Sequence, residues 1–205
     1  MDATHKTDPP DSVKLGVEGL DKVDLVERTD GPVQVGSQWA IRCTFTIEDA
    51  GTELVTKTSA WWMLIDGAYP QGQLSVLPCV RDGLQATFPH QRYNGPPHGE
   101  SPWRRGNICT QTPERTVVRQ HLDEEPYESE SRLAWHARRT LRWLADAAAG
   151  TLVADGEPYE ILDFPNCGSG VLCFQETSET LADWTNSPRS GVVEFCAAPT
   201  TKRYT

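Results

Sequence analysis

The clearest alternation of apolar and polar positions runs over residues 39–47. Trp39, Ile41, Cys43, Phe45 and Ile47 are separated by Ala40, Arg42, Thr44 and Thr46. A period of two predicts a strand with one buried face, and it sends Cys43 into the core beside Trp39 and Phe45. Gly51 marks the turn that follows. A second β-rich run covers residues 54–65 and carries the pair Trp61-Trp62. A third covers 73–80 and a fourth 84–88. Strands this close together predict an antiparallel meander with a face free for a helix. That helix is predicted over residues 131–149. Leu133, Ala137, Leu141, Leu144 and Ala148 step by three or four, while Arg132, Arg138, Arg139, Arg142 and Asp146 fall largely off the stripe as a solvated basic face. Ser129 or Ser131 is placed to cap its start and Gly150 to close it. At 1.5 Å per residue it reaches about 28 Å, enough to cross a sheet. The fold class expected is α+β: a four-strand meander packed against a long central helix.

Ahead of the first clear strand the pattern is ambiguous. Residues 1–12 are polar, include Pro9-Pro10, and are expected to be disordered. Val13, Val17, Leu20 and Val23 keep a loose helical spacing, but Gly16 and Gly19 weaken a helix there by about 1 kcal/mol each. Three regions follow: an N-terminal segment 1–36, partly disordered; a core 37–165; and a C-terminal extension 166–205. The extension holds Cys167, Cys173, a short helical pattern near Glu179 to Trp184 and a strand-like run over 192–196. It either packs on the core as an added hairpin and helix or begins a connection to a second domain.

Composition narrows the function classes. The 205 residues suit one domain with appendages. The longest apolar cluster, 60–65, is far short of a membrane span, so no membrane partner is expected. Met1 to Lys6 lacks the basic-then-apolar pattern of a signal peptide, which points to the cytoplasm and to reduced thiols despite six cysteines. A formal net charge of −10 argues against a nucleic-acid partner, leaving only a local basic patch around Arg132, Arg138, Arg139 and Arg142. Five residues lie between Cys167 and Cys173, without a second pair at zinc spacing, and His90, His98, His121 and His136 are scattered, so no metal is expected. No Gly-rich run ends in Gly-Lys-Ser/Thr, so there is no phosphate loop and no cofactor is implied.

The chemistry concentrates between Phe88 and Cys109. Phe88-Pro89-His90 opens a loop containing Gly95, Gly99 and Gly106, and Gly106-Asn107-Ile108-Cys109 closes it. Pro89 fixes the backbone before His90. Arg104 and Arg105 stand close enough in sequence to favour a thiolate if they remain near in space. This segment resembles the active site of the ubiquitin-conjugating enzyme family, in which a His-Pro-Asn turn precedes a loop and a Gly-x-Ile-Cys tetrad. Here Gly106–Cys109 fits the tetrad and Pro89-His90 replaces the turn. The Pro-His order and the longer loop are more like the bacterial branch, whose members sit beside cyclic-oligonucleotide synthases in antiphage defence operons. Tyr69-Pro70 and Pro78 match a further family feature, although taken alone they are better explained by ordinary turn chemistry. Gly156 to Pro165 resembles the family's closing turn, so the likeness covers roughly residues 39–165. The family's opening helix is absent or replaced by a strand in this reading, and Thr110 to Pro113 depart from its usual Leu-rich continuation.

The resemblance implies a ubiquitin-conjugating-like fold and a cysteine transferase. Cys109 would carry a protein C-terminus as a thioester and pass it to an amine. The partners implied are an activating enzyme, acting in trans or fused, and a ubiquitin-like protein or nucleotide cyclase that supplies the C-terminus. Cys109, His90 and Asn107 are the catalytic candidates. His90 in this family mainly organises the loop through backbone hydrogen bonding, with general-base action the lesser role. The tetrahedral oxyanion needs donors, and Gln91, Asn94 and Asn107 each offer a side-chain amide. Two rivals stand beside this reading: a binding module of the same fold without catalysis, and a cysteine hydrolase pairing Cys109 with His90, His98 or His121.

Overall fold

A computed structural model of the chain describes residues 8–49, 51–110 and 125–153. Helix α1 spans Asp11–Leu20, followed by strands β1 (Val26–Val35), β2 (Gln38–Thr46), β3 (Thr58–Asp66) and β4 (Leu74–Pro78), and then helix α2 (Ser129–Ala149). The strands form one antiparallel sheet in the order β1-β2-β3-β4. The protein is therefore α+β, a four-strand antiparallel meander with a long helix.

Pleat alternation sorts the strands onto two faces. Trp39, Ile41, Cys43 and Phe45 of β2 join Trp61, Met63 and Ile65 of β3 and Val76 of β4 in the main core, where Leu133, Ala137, Leu144 and Ala147 of α2 cover them. The Trp61 and Trp143 rings meet edge to face at 6.1 Å. Ala40, Ala60, Trp62, Leu64, Leu77 and Cys79 turn to the opposite face and form a smaller cluster, with Val33 and Trp103 packed against it. Trp61 and Trp62 thus serve different cores. With both faces covered, β3 is buried along nearly its whole length.

Four sequence expectations change. The chain does open with a helix: Val13, Val17 and Leu20 of α1, with Val23 beyond it, bury their side chains in the main core. Gly16 and Gly19 are what let α1 approach α2. A Cβ on Gly19 would stand 1.8 Å from the Glu130 carbonyl oxygen, and one on Gly16 would stand 2.8 Å from the Tyr69 hydroxyl. The helical cost of glycine is offset here by a close crossing, and the helix starts at Asp11 inside the stretch expected to be disordered. Second, the four strands are not the four expected. Strand β1 comes first, and 84–88 is not a strand, because the Asn94 side-chain amide takes the Leu84 and Ala86 carbonyls at 2.8 and 3.0 Å. Third, Arg132 is not on a solvated basic face. It is 6% exposed and ion-paired with Glu125. Fourth, neither serine caps α2. The N-cap is Glu128, and Ser131 Oγ donates back to its carbonyl. Gly150 does close the helix, at φ +72°.

Candidate functional site

The loop between β4 and α2 is held by amide side chains, each occupied by the backbone. Asn94 is 3% exposed. Besides donating to Leu84 and Ala86, its Oδ1 accepts from Arg104 Nε at 3.0 Å. Gln91, 6% exposed, accepts from the Phe88 amide at 3.0 Å and donates to the Gly106 carbonyl at 3.0 Å. Asn107 Oδ1 accepts from the Val76 amide at 2.8 Å, which fastens the tetrad to β4. Gly106 must lack a side chain, since a Cβ there would meet Asn94 Oδ1 at 2.6 Å. These bonds rank the three amides offered for an oxyanion. Both hydrogens of Asn94 and one of Gln91 are committed, whereas Asn107 is held through its oxygen.

Burial alternates residue by residue through the tetrad and into Thr110, the pattern of an extended segment. Ile108 is buried and pairs with Gln91 and Val76, Cys109 is exposed, and Thr110 is buried. His90 has φ +58°, and its carbonyl accepts from the Cys109 amide at 2.8 Å. The structure therefore brings His90, Asn107 and Cys109 to one place through their backbones. Cys43 and Cys79 are buried, and burial pushes the Cys43 thiol up to about 12 and the Cys79 thiol in the same direction. Arg104 donates to Asn94, and Arg105 Nε donates to the Pro96 carbonyl at 2.9 Å, so both arginines build the loop.

Helix α2 grips this segment at both ends. Trp143 Nε1 donates to the Pro89 carbonyl at 3.3 Å, and its ring meets Phe88 edge to face at 6.0 Å. Two turns earlier His136, 1% exposed, holds Thr110: Nδ1 and the hydroxyl lie 2.7 Å apart. The other ring nitrogen, Nε2, stands 2.8 Å from Glu125. Arg132 Nε donates to the same carboxylate at 2.6 Å, while its terminal nitrogens reach the Pro70 and Gly72 carbonyls. Burial holds the His136 imidazole below its ordinary range despite the opposing pull of Glu125. Burial pushes Glu125 up, but hydrogen bonds from His136 and Arg132 outweigh it and hold the carboxyl low. At neutral pH both directions favour a neutral imidazole beside an ionised carboxylate.

Sequence reading missed Thr110, Glu125 and His136. The available signal was the four-residue step Arg132–His136–Thr140, a polar line beside the apolar stripe, and all three residues are buried. Tyr69 also proves more than a turn residue: it is 4% exposed, and its hydroxyl donates to the Ser129 carbonyl.

Beside the tetrad, on the sheet face away from α2, lies an open cleft of about 380 Å³. Leu64 and Leu77 form its apolar floor, Tyr93 and Trp103 line it, and Arg92, His98 and Arg105 give its walls a basic character. Asn107 lines it too. Among the described residues no cluster of His, Cys, Asp and Glu is arranged to hold a metal ion, and no helix is long and apolar enough to cross a membrane. His121, Cys167, Cys173, Cys196 and the segment after Thr110 lie outside the described residues.

The chain shows two similarities to known proteins. Over 148 residues, 72% of the chain, the sequence is 26% identical to the ATP-dependent ubiquitin transferase-like protein Cap2 of Enterobacter hormaechei subsp. hoffmannii. Residues 150–205 match the family model of the Cap2 central linker domain. The chain is similar to Cap2. The matched part spans about a quarter of that protein's length. The linker match begins at the Gly150 cap of α2 and takes in the whole C-terminal extension. Similarity to Cap2 agrees with the resemblance to the bacterial ubiquitin-conjugating-like branch that the Pro89-His90 order and the longer loop carry.

Proposed function

We propose that this chain is the ubiquitin-conjugating-like portion of a Cap2-type transferase, and that its fold is of the ubiquitin-conjugating kind. Cys109 accepts an activated protein C-terminus as a thioester and releases it to an amine. The observation that carries this reading is the exposed thiol at the end of a loop locked by Gln91, Asn94 and Asn107, on a sheet-and-helix scaffold. In the charging step the Cys109 thiolate attacks the activated carbonyl, displacing the activating enzyme's leaving group. In the transfer step a neutral amine attacks the thioester, the C–S bond breaks as the amide forms, and the proton the amine loses balances the departing thiolate as free thiol. Asn107 Nδ2 is the favoured donor to the oxyanion between them. The cleft bordered by Asn107 suits an extended, partly acidic tail, because Arg92, His98 and Arg105 line it.

Activation needs ATP, and the name of the Cap2 relative carries ATP dependence over a polypeptide of which the matched part is about a quarter. That favours an activating domain on the same chain beyond the linker over one acting in trans. The conjugated C-terminus belongs in this reading to a ubiquitin-like protein or a nucleotide cyclase, and the setting is cytoplasmic antiphage defence. The test is incubation with a matched activating domain, ATP and the candidate acyl donor, followed by electrophoresis with and without thiol. A thiol-sensitive adduct on the wild-type chain is expected. A Cys109→Ala chain that forms the same adduct would end the assignment, and binding of the donor without any adduct would leave only a binding module.

A further inference from the structure

We propose that His136 is a positioning residue for Cys109, acting through Thr110. The inference rests on reading Cys109 as the acyl carrier, and its geometry is independent of the partner. An ionised Glu125 can only accept, so His136 Nε2 must carry the proton that bridges their 2.8 Å separation. A neutral imidazole then has Nδ1 as an acceptor, and the Thr110 hydroxyl donates to it at 2.7 Å. The order carboxylate, imidazole, hydroxyl is that of a nucleophile-activating triad. Thr110 is nevertheless 5% exposed and faces α2, so no substrate reaches its oxygen. What the relay fixes is direction.

In an extended segment neighbouring side chains point to opposite sides. Ile108 is locked inward by the core and by its bonds to Val76 and Gln91. Thr110 is locked inward by His136. Between two inward anchors, Cys109 is turned outward. Without the second anchor the backbone beyond the Cys109 amide, which the His90 carbonyl holds, is free to rotate and swing the sulfur away. His136 is itself immobilised: it is 1% exposed, Glu125 holds it from one side, the Trp135 ring lies against it at 4.9 Å, and Arg132 fixes the carboxylate to the Pro70 and Gly72 carbonyls. Among the described residues, the charged groups that act on it are Glu125, Arg132 and Arg139.

The test reads the thiol directly. Alkylation of Cys109 by iodoacetamide is followed by peptide mass in the full chain, with cooperative melting as the check on folding. Thr110→Val keeps the shape and removes the donor, and it is expected to slow alkylation several-fold; Thr110→Ser restores the hydroxyl and the wild-type rate. A second pair separates positioning from general support. His136→Asn places an amide where Nδ1 stood and keeps hold of Thr110. His136→Gln places one where Nε2 stood, keeping Glu125 but losing Thr110. The asparagine chain is expected to alkylate near the wild-type rate and the glutamine chain several-fold more slowly. Equal rates in folded Thr110→Val and wild type, or in the two His136 variants, overturn the proposal. A wild-type chain that gives no thiol-sensitive adduct with activating domain and ATP would remove the acyl-carrier reading alone, since alkylation still reports the thiol's orientation.

Discussion

The carbonyl of His90 accepts the amide of Cys109 at 2.8 Å, so the beginning and the end of the long loop are joined by backbone. His90 makes that bond from the left-handed region, at φ +58°, which histidine tolerates and β-branched residues do not. His90→Gly is therefore expected to keep both the fold and adduct formation on Cys109. His90→Val is expected to cost about 1–3 kcal/mol of stability, read in urea titration. Loss of the adduct in a stable His90→Gly chain would instead make the imidazole a catalytic base.

Asn107 combines a structural oxygen with a nitrogen placed for chemistry. In Asn107→Asp a carboxylate oxygen can still accept from the Val76 amide, while the donor is gone. The expected result is near-native stability with transfer slowed about 10²–10³-fold, the usual loss for one oxyanion donor. Asn107→Ala removes both and is expected to lower stability by about 1–3 kcal/mol as well, because the Val76 amide is left unpaired. Single-turnover discharge to a free amine, run beside thermal melts, separates the two effects.

Gly19→Ala reverses the usual helix rule. Alanine in place of glycine favours a helix by about 1 kcal/mol, but the new Cβ would sit 1.8 Å from the Glu130 carbonyl oxygen. Since that obstacle is backbone, the helices must separate, and overpacking of this kind costs about 1–3 kcal/mol. A melting temperature below that of the wild type is expected, and one above it would show that the crossing is looser than described.

Acid should weaken the protein through His136 and Glu125 in succession. The folded His136 pKa is depressed by burial, so the native chain binds fewer protons than the unfolded chain as pH falls below the ordinary histidine value of 6.5. Its contribution is fully present above that value and is lost as pH drops toward the folded pKa. Glu125, also depressed, contributes above its ordinary value of 4.5, and that contribution disappears further into acid. Stability measured by denaturant at stepped pH is expected to fall between neutrality and mild acid, with a shallower slope over that first window in His136→Gln.

The strand over residues 39–47 was legible because each alternate side chain meets a core, and α2 because its apolar stripe is long. Strand β1 was not. As the edge strand it carries Glu27, Arg28, Thr29 and Asp30 exposed, and it includes Gly31-Pro32, so its burial pattern has no period of two. The glycines of α1 read as breakers, because a close helix crossing depends on a distant partner. The same holds at the site. The tetrad Gly106–Cys109 could be found locally, whereas Thr110, Glu125 and His136 are brought together only by the folding of α2 against the loop.

The tight passage of α1 over Glu130 has a mechanical meaning. With no side chain between them, the two helices are coupled at that point as a single lever, and Glu130 lies in the turn that leads into Arg132 and then His136. Any displacement of α1 at this crossing would therefore press directly on the first turn of α2.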